Sequence, residues 1–183
     1  MSLQQLLIAC ARGREKAREQ LFTEISGNLF AVCRRYVKNT ADAEELMLDG
    51  VQKIFAALNR FTYHSDAGFY AWARRIVVNE CLMFLRKENV FSISIEQYGA
   101  DASVPDDAFN QLSAQEIYEA ILQLPSGYRT VFNMYEIEGY SHKEIAAALC
   151  ISEGTSKSQL SKAKSWLQRQ LIKNETHEQR KAQ

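Results

Sequence analysis

Thr155, Ser158, Gln159 and Lys162 recur at intervals of three and four residues, the spacing that sets side chains along one face of a helix. Hydroxyl, amide and ammonium groups in that order make no nucleophile–base pair. The chemistry they suit is recognition, because short polar side chains reach the donor and acceptor groups on base-pair edges in a major groove. Lys157 and Lys164 stand among them as candidates for phosphate contact. Leu160, Ala163, Leu167 and Leu171 form an apolar stripe on the same stretch, leaving Thr155, Ser158, Ser161, Lys162, Ser165 and Arg169 opposite it. Residues 152–173 hold five basic residues against one acidic, which favours DNA over a merely solvated polar face.

Two short elements must present that face. Ser141 followed by Glu144 is a capping box, in which hydroxyl and carboxylate each satisfy a backbone N–H left unpaired at a helix start. The helix it opens buries Ile145 and Leu149 and runs out at Cys150 and Ile151, where Ser152 caps a longer helix. Paired caps around so short a turn make a helix-turn-helix. Upstream, Ile117, Ile121 and Leu122 begin a helix that stops at Leu124-Pro125, and residues 128–138 form another, closed by Gly139.

A second concentration of chemistry lies in residues 69–87, a helix dense in aromatics and arginines. Phe69, Trp72, Ile76 and Phe84 read as core, while Arg74, Arg75, Asn79, Arg86 and Lys87 are left over for a strand of nucleic acid. Before it, residues 40–58 form a helix capped by Thr40, with an acidic start (Asp42, Glu44, Glu45) that suits the positive end of the helix dipole. Its core stripe is Met47, Val51, Ile54, Phe55 and Leu58, and its other face carries Glu45, Asp49, Gln52 and Lys53. At the start of the chain, Leu3, Leu6, Leu7 and Cys10 form a short stripe. A long pattern from Ala17 through Leu21, Ile25, Leu29, Val32 and Cys33 to Tyr36 follows, with Gly27-Asn28 as the expected kink or break.

Composition bounds the rest. The formal net charge of zero hides three segments: +4 over residues 1–87, −7 over 88–119 and +3 over 120–183. Residues 88–114 carry Gly99, Pro105, paired aspartates and no helical stripe, and read as a flexible acidic linker with a brief extended piece at 91–95. The fold class expected is therefore all-α: an N-terminal helical domain (1–87), the linker (88–114), a helix-turn-helix domain (115–173) and a polar tail (174–183). Cys10, Cys33, Cys81 and Cys150 are dispersed in apolar helical contexts and read as core thiols, so neither metal nor cofactor is expected. His64, His142 and His177 are scattered singly, and no phosphate-binding glycine loop or other catalytic motif is present, so the chain reads as no enzyme and has no small-molecule substrate. Without a signal pattern or an apolar run near the roughly 20 residues that span a bilayer, the expected location is the cytoplasm.

These elements resemble a known family. Leu124-Pro125, Tyr128 to Phe132, Glu136 to Ser141, Glu144-Ile145-Ala146 and Ile151 to Thr155 with Lys157-Ser158 are similar, without a gap, to the fourth conserved region of the extracytoplasmic-function (ECF) sigma factors of the sigma-70 family. Asp42 to Leu46, Phe69, Trp72, Ile76, Asn79 and Leu85-Arg86 resemble its second region, with Leu48 and Met83 as departures. The resemblance implies an initiation factor that binds core RNA polymerase through Glu45, Asp49, Gln52 and Lys53. It would read a −35 element with Thr155, Lys157, Ser158, Gln159, Ser161 and Lys162, and melt and read a −10 element with Trp72, Arg74, Arg75, Asn79, Arg86 and Lys87. It further implies that the acidic linker threads through the polymerase, in a basic channel that otherwise holds RNA, and it leaves open a membrane-bound anti-sigma partner. The alternative reading is a helix-turn-helix regulator with no sigma role.

Overall fold

In the computed structural model the backbone is described for residues 1–88 and 114–181 and the side chains for residues 1–88 and 116–170. The expected extended piece at 91–95, and all of the linker but its end residues, lie outside the described residues. Regular structure among the described residues is entirely helical. The chain divides into two compact units, Met1–Phe84 and Leu85–Gln183.

In the first unit, α1 (Leu3–Ala11) opens on a capping box in which the Ser2 hydroxyl accepts from the Gln5 N–H and the Gln5 side chain accepts from the Ser2 N–H. Gly13, at φ +78°, turns the chain into α2 (Glu15–Tyr36). No break occurs at Gly27-Asn28, and the helix runs on through both residues. A glycine inside a helix costs about 1 kcal/mol, and both residues sit on the exposed side while Leu21, Ile25, Leu29, Val32 and Tyr36 are buried along the other, each contributing about 1.5–3 kcal/mol. α3 (Thr40–Ala57) is capped by Asn39, not Thr40: the Asn39 carbonyl oxygen accepts from Ala41 and Asp42 N–H at 2.8 and 3.3 Å. Asn is the stronger cap, and Thr40 becomes the first helical residue.

After a short 3₁₀ turn (Leu58–Arg60) comes α4 (Asp66–Lys87). It buries Phe69, Ala73, Val77, Val78, Cys81, Leu82 and Leu85, whereas Trp72, Ile76 and Phe84, expected in the core, are only half-buried. α3 and α4 come into close contact where Gly50 faces Val77. A Cβ placed on Gly50 would lie 2.6 Å from Val77 Cγ2. Trp72 joins an aromatic cluster in which the Phe61 ring lies tilted against it at 4.5 Å and edge-on to the buried Phe69 at 5.8 Å. Tyr70 Oη donates to Glu24 on α2 at 2.5 Å, tying the start of α4 to the long helix.

The second unit comprises α5 (Ala114–Gln123), α6 (Ser126–Phe132), a π-helical turn (Asn133–Ile137), α7 (His142–Leu149) and α8 (Glu153–Lys181). The helix expected over 128–138 is thus an α-helix starting at Ser126 that widens into a π turn. Its core is Ile121, Leu124, Tyr128, Val131, Met134, Ile145, Leu149, Leu160, Ala163 and Leu167. Arg129, 2% exposed, donates through Nη1 to the carbonyls of Leu122 and Leu124, both at 3.2 Å. A cation there satisfies the carbonyls that a helix end leaves unpaired. α8 continues to Lys181 through the stretch expected as a tail, since its Glu, Gln, Arg and Lys residues are good helix formers with no Gly or Pro among them.

Candidate nucleic-acid interface

The two caps read from the sequence hold the helix-turn-helix in place. Ser141 N donates to Glu144 Oε2 at 2.8 Å and Glu144 N to Ser141 Oγ at 3.3 Å. Thr155 N donates to Ser152 Oγ at 2.9 Å. Between the helices lie only Cys150, Ile151 and Ser152, and the chain reverses because Cys150 takes a left-handed conformation, φ 57° and ψ 41°. Cys150 is consequently exposed rather than a core thiol, while Cys10, Cys33 and Cys81 are buried. The turn residue must point its Cβ away from both helices it connects.

On α8, Lys157, Ser158 and Ser161 are exposed and Thr155 and Lys162 half-exposed, so five of the six expected groups share an open face. Gln159 does not: it is 4% exposed, and its Oε1 has no hydrogen-bond partner. The buried stripe runs Ser156, Gln159, Leu160, Ala163, Leu167, and two polar residues occupy positions in phase with it. Periodicity keyed on apolar residues alone placed Gln159 on the wrong side and passed over Ser156. The hydroxyls are already oriented: Ser158 Oγ donates to the Thr155 carbonyl at 3.1 Å, and Thr155 Oγ1 lies 2.9 Å from Ser152 Oγ. So held, Ser158 offers a lone pair, which suits the amino groups of cytosine or adenine. Lys164 is ion-paired with Glu136 at 2.9 Å, which weakens its standing as a phosphate anchor.

Along α4, Trp72, Arg75, Asn79 and Arg86 fall at intervals of three, four and seven residues, and Arg75, Asn79 and Arg86 are exposed. They form one stripe. Met83, 53% exposed, completes it four residues after Asn79, a position the sequence reading noted only as a departure. Lys87 lies at its shoulder. Arg74, although exposed, sits roughly 200° round the helix from Trp72 at 3.6 residues per turn, and does not join them.

On α3, Glu45, Asp49 and Gln52 are exposed on one line, with Leu48 beside them at 52% exposure. Lys53, expected on the same outer face, is held by a partner: its Nζ is 2.5 Å from Glu80 Oε2 on α4, a carboxylate whose side chain is only 11% exposed. The pair ties α3 to α4. Among the described residues no cluster of three or more His, Cys, Asp or Glu side chains could hold a metal ion, and no helix is long and apolar enough to cross a membrane.

Comparison with known proteins bears on both units. Residues 21–90 match the family model described as Sigma-70 region 2, and residues 114–167 match that of Sigma-70, region 4. The chain is 29% identical over 168 residues to the ECF RNA polymerase sigma factor SigM of Mycobacterium tuberculosis, covering 91% of this chain and 83% of that one. It is 24% identical over 181 residues to the RNA polymerase sigma-H factor of Pseudomonas aeruginosa, covering 92% and 93%. Among solved structures, the sigma factor RpoE from Bartonella quintana, crystallised with the anti-sigma factor NepR, superposes with a TM-score of 0.49 at 25% identity, covering 85% of this chain and 96% of that one.

Proposed function

We infer that this chain, which belongs to the sigma-70 family, binds core RNA polymerase and directs promoter-specific initiation of transcription as an ECF sigma factor. The observation that carries this is the presence, in order on one chain, of region 2 and region 4 of the family. A plain helix-turn-helix regulator has no need of the first.

The division of labour follows from the side chains each unit exposes. The Glu45–Leu48–Asp49–Gln52 face of α3 supports a polymerase contact, with an apolar centre flanked by acid and amide groups on a rigid helix. Lys53 is better read as a structural tie to Glu80. The α4 stripe of Trp72, Arg75, Asn79 and Arg86 supports contact with the opened −10 strand, since melted DNA needs cations along its backbone and π-faces for its bases. The exposed start of α8 supports reading of the −35 element, with Thr155, Ser158 and Ser161 toward bases and Lys157 and Lys162 toward phosphates. No part of this role calls for catalysis by the chain itself, a cofactor or a small-molecule substrate, and its place is the cytoplasm, where polymerase and chromosome meet. An anti-sigma factor is retained as a further partner on the family resemblance alone.

The test is reconstitution. Immobilised full-length protein should retain core polymerase, and the assembled holoenzyme should give a runoff transcript from a promoter selected with it, where core polymerase alone gives none. A chain that fails to retain core polymerase and yet binds duplex promoter tightly by itself would be a regulator instead.

A further inference from the structure

We propose that His142 is a positioning residue for base recognition: clamped between Tyr135 and Ser156, its imidazole sets the rotation of the first turn of α8, and with it the bases that Thr155 and Ser158 meet. This rests on the reading of α8 as the helix that enters the major groove.

Three elements converge on the ring. His142 is the first residue of α7, Tyr135 belongs to the π turn, and Ser156 lies in the first turn of α8. The imidazole stacks on Tyr135 with centroids 4.4 Å apart and planes at 21°, and its Nδ1 is 2.9 Å from Ser156 Oγ. Ser156 is fully buried, whereas Lys157 and Ser158 beside it are exposed. If α7 and α8 needed only packing, an alanine would serve at 156. A hydroxyl there must instead find its partner in one direction, because a hydrogen bond weakens steeply with angle while apolar contact has no preferred direction.

The geometry makes small rotations matter. A side-chain atom about 5–6 Å from a helix axis moves through about 1.5 Å when the helix turns by roughly 15°. Base-edge hydrogen bonds tolerate only about 0.5 Å of spread in length. The Leu160, Ala163 and Leu167 contacts hold α8 against the core without a preferred direction, and the Lys164–Glu136 pair, two turns further along and part-exposed, restrains its first turn only loosely. The His142–Ser156 bond, with the ring held flat by Tyr135, closes off such a rotation.

The experiment uses holoenzyme made from full-length chain and core polymerase, selecting bound sequences from a promoter library randomised across the −35 element. His142→Ala is expected to flatten preference at the one or two positions that Thr155→Ala and Ser158→Ala also affect, with roughly ten-fold loss of discrimination. His142→Asn, whose amide oxygen can occupy the place of Nδ1, should restore most of it. Ser156→Ala removes a single oxygen and guards against a misfolded His142→Ala. It should flatten the same positions, and the double variant should be no worse than either single one. The proposal is overturned if His142→Ala and Ser156→Ala weaken all sequences equally with preference unchanged, or if His142→Asn behaves as His142→Ala does. If Thr155→Ala and Ser158→Ala themselves leave preference untouched, it is the assignment of α8 as the reading helix that has failed, and the positioning role with it.

Discussion

A single backbone angle lets the two helices of the helix-turn-helix meet. Cys150 adopts φ 57°, a region that costs an L-residue about 1–2 kcal/mol and that glycine enters freely. Cys150→Gly should therefore raise the stability of the unit by about 1 kcal/mol, visible as a higher midpoint in denaturant, and a lowered midpoint would show that the thiol makes a contact worth more than the strain. The other thiols are inert for separate reasons. Burial pushes the Cys10 thiol up, and a hydrogen bond with Cys33, then burial, pushes Cys81 well up. In the native protein one thiol, that of Cys150, should react quickly with a maleimide and three only on unfolding, and Cys150→Gly should abolish the fast phase. Gln159 carries the opposite expectation from its open-face neighbours. Its buried Oε1 lacks a partner, and removing such an acceptor releases a desolvation cost of about 1–3 kcal/mol. Gln159→Leu should leave stability equal or higher and base preference unchanged, and a promoter selection in which it loses discrimination at one base pair would return it to the reading set.

At the level of the helix, α3 and α4 are each asked to do two things with opposite faces. α3 presses Gly50 against Val77 on one side and exposes Leu48, Asp49 and Gln52 on the other. The contact explains why Asp49 is a better probe than Lys53. Losing Lys53 would strand the Glu80 carboxylate and disturb the fold, whereas Asp49→Lys changes only exposed charge. It should weaken core polymerase binding with the unfolding midpoint unchanged, and equal affinity in a competition assay would remove α3 from the docking surface. α4 poses the same problem with Trp72, whose stacking on Phe61 means that its loss would damage both packing and function. Asn79 separates them, being small, polar and exposed. Asn79→Ala should keep polymerase affinity and thermal midpoint while reducing permanganate-reactive, opened promoter complexes, and a promoter with a pre-melted −10 bubble should recover the lost transcription if strand opening is the step affected. Unchanged opening of a fully duplex promoter would show that α4 is not the melting element.

For the whole molecule, the distribution of charge decides the order of events. The sum is zero, so the acidic segment offsets the attraction of the basic ones to phosphate, on which sequence-independent DNA affinity depends. Full-length protein alone should bind duplex promoter weakly by fluorescence anisotropy, and the same protein in complex with core polymerase should bind it well. Tight binding by the free chain at physiological salt would contradict this. The −7 balance of residues 88–119 is the source of the cancellation.

The helices of the described residues, the caps at Ser141 and Ser152, the acidic middle segment and most of the open faces of α3 and α8 were legible in the sequence. They depend on interactions within a few residues, and a helix declares its buried side through apolar spacing. What escaped that reading is what depends on a neighbour distant in the chain. Gly50 packs against Val77 between α3 and α4, Trp72 lies half-exposed against Phe61 and Phe69, the Glu80 carboxylate pairs with Lys53, and Ser156 and Gln159 are buried although both are polar. No local pattern marks a polar side chain for burial. Its place is decided by which atoms the tertiary structure brings within reach, as Ser156 shows by finding its partner fourteen residues away on His142.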